Sequence, residues 1–128
     1  MAVSNIIDYI TIATTGDATD FGDLTVARAG TGGVTNETRG CFGGGLGSTD
    51  TIDYITIATT GNATDFGDLS AARRLIGGVN DDTYGVFGGG GFPVTNVMDY
   101  ITIASTGNAT DFGDLTVARS GVGGVSGS

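Results

Sequence analysis

The chain has 128 residues, 25 of them glycine, with five arginines against fourteen acidic residues, a net charge of −9, and no lysine, histidine or tryptophan. That charge excludes a nucleic-acid partner, whose binding rests on neutralised phosphates, and docking on an anionic membrane surface. No apolar run reaches 18 residues, which excludes a membrane-inserted helix, and the 39% hydrophobic residues fall in regular runs, unlike those of a disordered glycine-rich linker.

Met1–Asn5 reads as the tail of a loop, without the charged and apolar regions of a signal peptide. Ile6–Ala13 alternates and is rich in isoleucine and threonine, which predicts a strand. Ile7, Tyr9 and Thr11 fall on one face, and Asp8, Ile10 and Ile12 on the other. Both faces are partly apolar, so the strand is expected between two packed layers. Thr14–Asp17 is a turn, and Ala18–Leu24 a short return strand with Phe21 and Leu24 as its large apolar groups. Thr25–Val34 is expected to form a new strand, entered through Thr25–Arg28 and centred on Gly30–Val34. Consecutive glycines weaken an isolated strand but suit a place where backbones crowd. Asn36–Arg39 is a polar turn, Gly40–Gly45 a short strand ending in glycines, and Leu46–Thr51 a loop. Cys41, the single cysteine, has Val86 as its counterpart and reads as a small buried apolar residue.

The pattern then starts again. The 17 residues Asp8–Leu24 recur with little change as Asp53–Leu69 and Asp99–Leu115. An arginine follows each copy, at Arg28, Arg73 and Arg119, and then Gly-Gly-Val, at 32–34, 77–79 and 123–125. Self-similarity at a period of 45 to 46 residues marks a repeat architecture. No helical periodicity interrupts it. The fold expected is all-β, with four short antiparallel strands per repeat of about 45 residues, the pattern of a β-propeller blade.

Residues 1–128 then form a single repeat domain. Residues 1–24 supply the third and fourth strands of a partial unit, 25–69 and 70–115 are full units, and 116–128 a lone first strand. The element Gly40–Gly45, with its counterpart Gly85–Gly90, has no third copy. Open terminal units would expose apolar faces and strand edges. Association is therefore expected, as a two-fold dimer closing a six-bladed ring or as a fibre or larger assembly, unless the chain is a fragment of a longer array.

The run Ala72-Arg73, Gly77-Gly78-Val79, Tyr84–Gly90, Met98-Asp99-Tyr100 and Asp111-Phe112 resembles a kelch motif. Kelch repeats carry an arginine before the first strand, a glycine pair, a tyrosine and a fourth-strand aromatic; here Phe21, Phe66 and Phe112 stand where tryptophan is usual. The repeat text is also similar to repeats in structural and tail-fibre proteins of marine bacteriophages. The resemblance implies a kelch-like propeller used as a binding scaffold, on a virion or outside the cell.

Asp17/Asp20/Asp23, Asn62/Asp65/Asp68 and Asn108/Asp111/Asp114 offer oxygen ligands three residues apart. They lack the alternation and closing glutamate of a calcium loop, and capping of turn backbone is the favoured reading over calcium. No cofactor is implied. The periodic arginines are expected to form structural ion pairs, Asp8 with Arg28, Asp53 with Arg73, and Asp99 with Arg119. Without histidine or lysine, and with every distinctive acid repeated three times, an enzyme is disfavoured. The expected role is a structural protein that self-associates into a homo-oligomer. The alternative is a module that binds a glycan or receptor through its variable loops, at Asn36, Arg39, Asp50, Asp81, Asp82, Tyr84 and Phe92.

Overall fold

The computed structural model describes residues 3–47 and 49–127, so Met1 and Ala2 of the expected N-terminal loop, and Ser48 of the Leu46–Thr51 loop, lie outside the described residues. The fold is all-β, and no helix long and apolar enough to cross a membrane is found among the described residues. Among the described residues ten strands follow in order: β1 Ser4–Tyr9, β2 Thr19–Arg28, β3 Gly32–Thr35, β4 Arg39–Gly43, β5 Thr51–Thr56, β6 Thr64–Asp68, β7 Gly77–Asn80, β8 Tyr84–Gly88, β9 Val97–Thr102 and β10 Thr110–Asp114. They form three antiparallel sheets: the hairpin β1-β2, then β3-β4-β5-β6, then β7-β8-β9-β10. Each consecutive pair within a sheet is hydrogen-bonded, so both larger sheets are simple meanders.

The sheets lie face against face, as two-sided apolar strands require. Between the hairpin and the second sheet, Ile7, Phe21 and Leu24 pack on Phe42, Ile55 and Ala63. Between the second and third sheets, Val34, Cys41, Ile52, Phe66 and Leu69 meet Phe87, Ile101 and Ile103. Residues of β5 thus feed both cores: Ile52 and Tyr54 pack in the one shared with the third sheet, and Ile55 in the one shared with the hairpin. The hairpin lacks the first two strands of a full sheet, so it covers less. Ile57 beside it remains 44% exposed, while its equivalent Ile103 is fully buried.

A β-bulge recurs at one place in every unit. The register skips Phe21 between Gly22 and Asp20, Phe66 between Gly67 and Asp65, and Phe112 between Gly113 and Asp111. A bulge leaves one residue out of the ladder and re-aims its neighbours. Here it follows from the repeated Phe-Gly pair, with the glycine at positive φ, +154° at Gly22 and Gly67 and +144° at Gly113.

Three strand expectations are corrected. The strand read as Ile6–Ala13 runs Ser4–Tyr9, because the turn closes early: the Thr14 amide donates to the Thr11 carbonyl, as Thr59 does to Thr56 and Ser105 to Thr102. Thr25–Arg28 does not begin the next strand. It extends β2 through the Ser4–Arg28 pairing, and the chain bends before β3. The Gly-Gly-Val at 123–125 carries no strand assignment, since no strand among the described residues pairs with it in a ladder.

Candidate interaction surface

The faces between sheets are built from three contacts, each repeated. The first is an interlock at the bulged strand. The Gly61 and Ala63 amides donate to the Phe21 and Asp23 carbonyls, both at 2.8 Å, and the Asp23 amide donates to Asn62 Oδ1 at 3.0 Å. One unit on, Gly107 and Ala109 donate to Phe66 and Asp68, and Asp68 to Asn108 Oδ1 at 3.1 Å. The turn of each sheet is therefore seated on the last strand of the sheet before it. A Cβ on Gly67 would collide with the Gly107 carbonyl, which is why glycine follows the bulged phenylalanine.

The second contact joins the first strands. A Cβ on Gly78 would collide with the Gly33 carbonyl, and one on Gly124 with the Gly78 carbonyl. The Thr35 amide donates to Asn80 Oδ1 at 3.0 Å, and the Asn80 amide to Ser126 Oγ at 2.9 Å. The segment around Gly124 thus sits on β7 much as β7 sits on β3. A main-chain link runs beside it: Leu75 N–H to the Gly30 carbonyl, 2.7 Å, and Gly121 N–H to the Leu75 carbonyl, 3.0 Å.

The third contact is a buried charge knot. Arg28 Nη2 lies 3.1 Å from Asp53 Oδ2 and donates to the Phe42 carbonyl. The same carboxylate accepts the Thr25 amide and hydroxyl at 2.8–2.9 Å. Arg73 Nη1 meets Asp99 Oδ2 at 3.0 Å, Arg73 Nη2 donates to the Phe87 carbonyl, and Ser70 supplies the amide and hydroxyl. The expected pairs, Asp8 with Arg28, Asp53 with Arg73 and Asp99 with Arg119, are thereby corrected. Each arginine serves the sheet that follows it, because it enters that sheet ahead of the first strand and reaches across to the third.

The chain's two ends carry the unmatched halves of these contacts. Phe21 and Phe66 are 7% and 3% exposed, but their equivalent Phe112 is 58% exposed. Arg28, Arg73, Asp53 and Asp99 are buried, whereas Arg119 and Asp8 are exposed and form no ion pair among the described residues. Ile12, equivalent to the buried Ile103, is 93% exposed.

The candidate loop residues divide between the two ends of the strands. Asn36, Arg39, Asp81, Asp82 and Tyr84 lie at the β3–β4 and β7–β8 turns, Asp50 and Phe92 at the opposite end. Several already have partners. Asn36 Oδ1 accepts the Thr38 and Arg39 amides at 2.8 and 2.7 Å, and Asp81 Oδ1 accepts those of Thr83 and Tyr84 at the same distances. The Tyr84 and Thr83 amides hold the Asp81 carboxyl below its ordinary pKa. Arg39 stacks over Tyr54 at 4.3 Å and donates to the Ile103 carbonyl. Tyr84 meets Tyr100 edge to face. Burial, then the charges of Asp50 and Asp65, raise the pKa of Asp68. Asp82 lines a shallow hollow with Asn36, Glu37 and Thr38. Phe92 is 64% exposed under the Arg74 guanidinium, 4.5 Å away, beside a 230 Å³ hollow that also touches Gly45 and Leu46.

Asn62 and Asn108, from the carboxylate-rich triplets, cap backbone of the preceding sheet, and no group of three His, Cys, Asp or Glu side chains is placed to hold a metal among the described residues. Burial pushes the Cys41 thiol up to about 11, with Arg39 pulling slightly the other way. Thr25, Ser70 and Arg74 are contact residues that sequence reading missed. The signal for the first two was present: a hydroxyl residue three positions before the arginine in each copy, Thr25, Ser70 and Thr116. Comparison of the chain with known protein families and with curated proteins finds no match.

Proposed function

We propose that this is a structural protein, not an enzyme, whose repeat units associate end to end with those of further copies. The two four-stranded sheets are read as β-propeller blades of kelch-like type, and a virion or another extracellular assembly is the setting this reading favours. The observation that carries it is the contrast between equivalent residues. Phe21 and Phe66 are buried under the next sheet and Phe112 is bare, while Asp53 and Asp99 are 0% exposed and Asp8 lies open. Each sheet needs a neighbour to bury its face, and the two ends display opposite halves of one contact. A contact between unlike surfaces closes into a ring or propagates as a filament.

Light scattering after size exclusion, with negative-stain images, tests the reading. A discrete multiple of the 12.7 kDa chain mass with ring-shaped particles, or filaments, supports it; a folded particle of 12.7 kDa at every concentration refutes it. The second reading, a glycan- or receptor-binding module, is favoured by the exposed Phe92 and Arg74 beside the 230 Å³ hollow, since a flat aromatic and a guanidinium suit a sugar face and its hydroxyls. Glycan-array binding lost in Phe92→Ala would support it.

A further inference from the structure

We infer that the partner is a second copy bound through a defined head-to-tail joint, in which Arg119 and Thr116 of one copy close on Asp8 of the next. The inference rests on the self-association reading above and specifies its interface. Its basis is that two such joints already exist inside the chain, and the residues of a third are present but divided between the ends.

The charge knot is the most selective part. Thr25 and Arg28 hold Asp53, and Ser70 and Arg73 hold Asp99. Thr116 and Arg119 are the next members of that series, and Asp8, the equivalent of Asp53 and Asp99, forms no ion pair among the described residues. The spacing supports the match: Thr116 stands three residues before its arginine, as Thr25 and Ser70 do. Opposite charges at opposite ends permit head-to-tail contact and disfavour head-to-head contact, which would bring like charges together.

The outer interlock repeats in the same direction. The Gly16 and Ala18 amides of the second copy would donate to the Phe112 and Asp114 carbonyls, as Gly61 and Ala63 do to Phe21 and Asp23. Asp17 replaces the asparagine of the other two copies, and its carboxylate still offers the acceptor needed by the Asp114 amide. Gly113 holds φ +144° and, among the described residues, has only Met98 Cε, 3.9 Å away, near its Cβ position. The place taken by the Gly61 carbonyl at Gly22, and by the Gly107 carbonyl at Gly67, is open there. Ile10 and Ile12 of the second copy would cover Met98 and Phe112, as Ile101 and Ile103 cover Ile52 and Phe66.

The inner seat completes the joint. Gly33 is exposed, and among the described residues a Cβ there would meet only the Cys41 carbonyl, at 3.9 Å. In the joint it faces the Gly124 carbonyl of the other copy, just as Gly78 faces Gly33 and Gly124 faces Gly78. The Ser126 amide then finds Thr35 Oγ1, and the Gly30 amide the Gly121 carbonyl, extending the two hydrogen-bond series already in the chain.

The test uses wild type, Asp8→Arg, Arg119→Asp and Gly33→Ala. All three positions are exposed within one copy, so each variant keeps the wild-type melting curve at a dilution where wild type is dissociated. Each should raise the concentration for half-association by about 100-fold or more, the cost of one partner lost from a buried ion pair or of a backbone collision. An equal mixture of Asp8→Arg and Arg119→Asp pairs opposite charges at every joint, and should associate at least about tenfold more tightly than either alone. A mixture no better than its components overturns the Asp8–Arg119 pairing. Gly33→Ala that associates like wild type overturns the inner seat. Wild type that associates, with none of the three substitutions changing it, overturns this joint and leaves self-association standing. Wild type that stays at 12.7 kDa overturns both.

Discussion

Removing the Asp99 carboxylate should be among the most damaging single changes to the folded chain. Asp99 is fully buried, and its Oδ2 accepts three donors: the Ser70 amide at 3.0 Å, the Ser70 hydroxyl at 2.8 Å and Arg73 Nη1 at 3.0 Å. Asp99→Ala leaves a buried guanidinium whose Nε already lacks an acceptor among the described residues, with only the Phe87 carbonyl to compensate its charge. Breaking a buried pair from one side costs about 3–5 kcal/mol. That is a large part of the roughly 5–15 kcal/mol that holds a small domain folded. Replacing both partners, Arg73→Leu with Asp99→Ala, removes the stranded charge and should cost less than the sum of the single changes. Asp8→Ala alters the equivalent residue of the first copy, which is exposed, and should leave the dissociated chain within about 0.5 kcal/mol of wild type. Urea unfolding at high dilution, with a common slope, measures all four differences. An Asp99→Ala cost below about 1 kcal/mol, or additive single and double costs, would refute the reasoning.

Other outcomes follow from the same geometry. Gly78→Ala should destabilise by about 1–3 kcal/mol or more, because the new Cβ meets the backbone carbonyl of Gly33 and the sheets must part; chemical denaturation measures it. Leu75 holds φ 58° where its equivalents Gly30 and Gly121 hold 73° and 68°, so Leu75→Gly should relieve about 1 kcal/mol of left-handed strain, read as a raised melting temperature. Cys41, with its thiol raised to about 11, should resist a disulfide reagent at pH 8 until the chain unfolds. The contribution of Asp81 is present above the ordinary carboxylate pKa and lost as pH falls through its lowered folded value; Asp81→Asn should keep the turn, as Asn36 does, and flatten that part of the acid melting profile.

How much of this could be read from residue order differs by element. The β5 and β9 strands were legible because isoleucine, tyrosine and threonine alternate, with apolar groups facing both ways. The crowding at Gly-Gly-Val was legible because consecutive glycines weaken a strand and suit a close approach of another backbone; at Gly78 the neighbouring carbonyl leaves no room for a Cβ. The ion pairs were not legible in their true register. Within one copy of the text, Asp53 precedes Arg73, but the sheet boundary falls between them, so Arg73 belongs with Asp99. The Phe-Gly bulge and the Asn62 and Asn108 caps act between sheets, and a turn read locally does not show what it sits on. Nor does the text distinguish Phe112 from Phe66, although one is exposed and the other covered. That difference comes from position in the stack, and it is what locates the candidate site.

Hydrogen exchange at the Gly16 and Ala18 amides, followed as protein concentration rises, bears most directly on head-to-tail association. Their equivalents Gly61, Ala63, Gly107 and Ala109 are bonded within the chain and should be protected at every concentration. The Gly16 and Ala18 amides should exchange freely in dilute protein and slow together as light scattering reports association, because they then donate to Phe112 and Asp114 of the next copy. Free exchange at both amides in fully associated protein would contradict the head-to-tail joint.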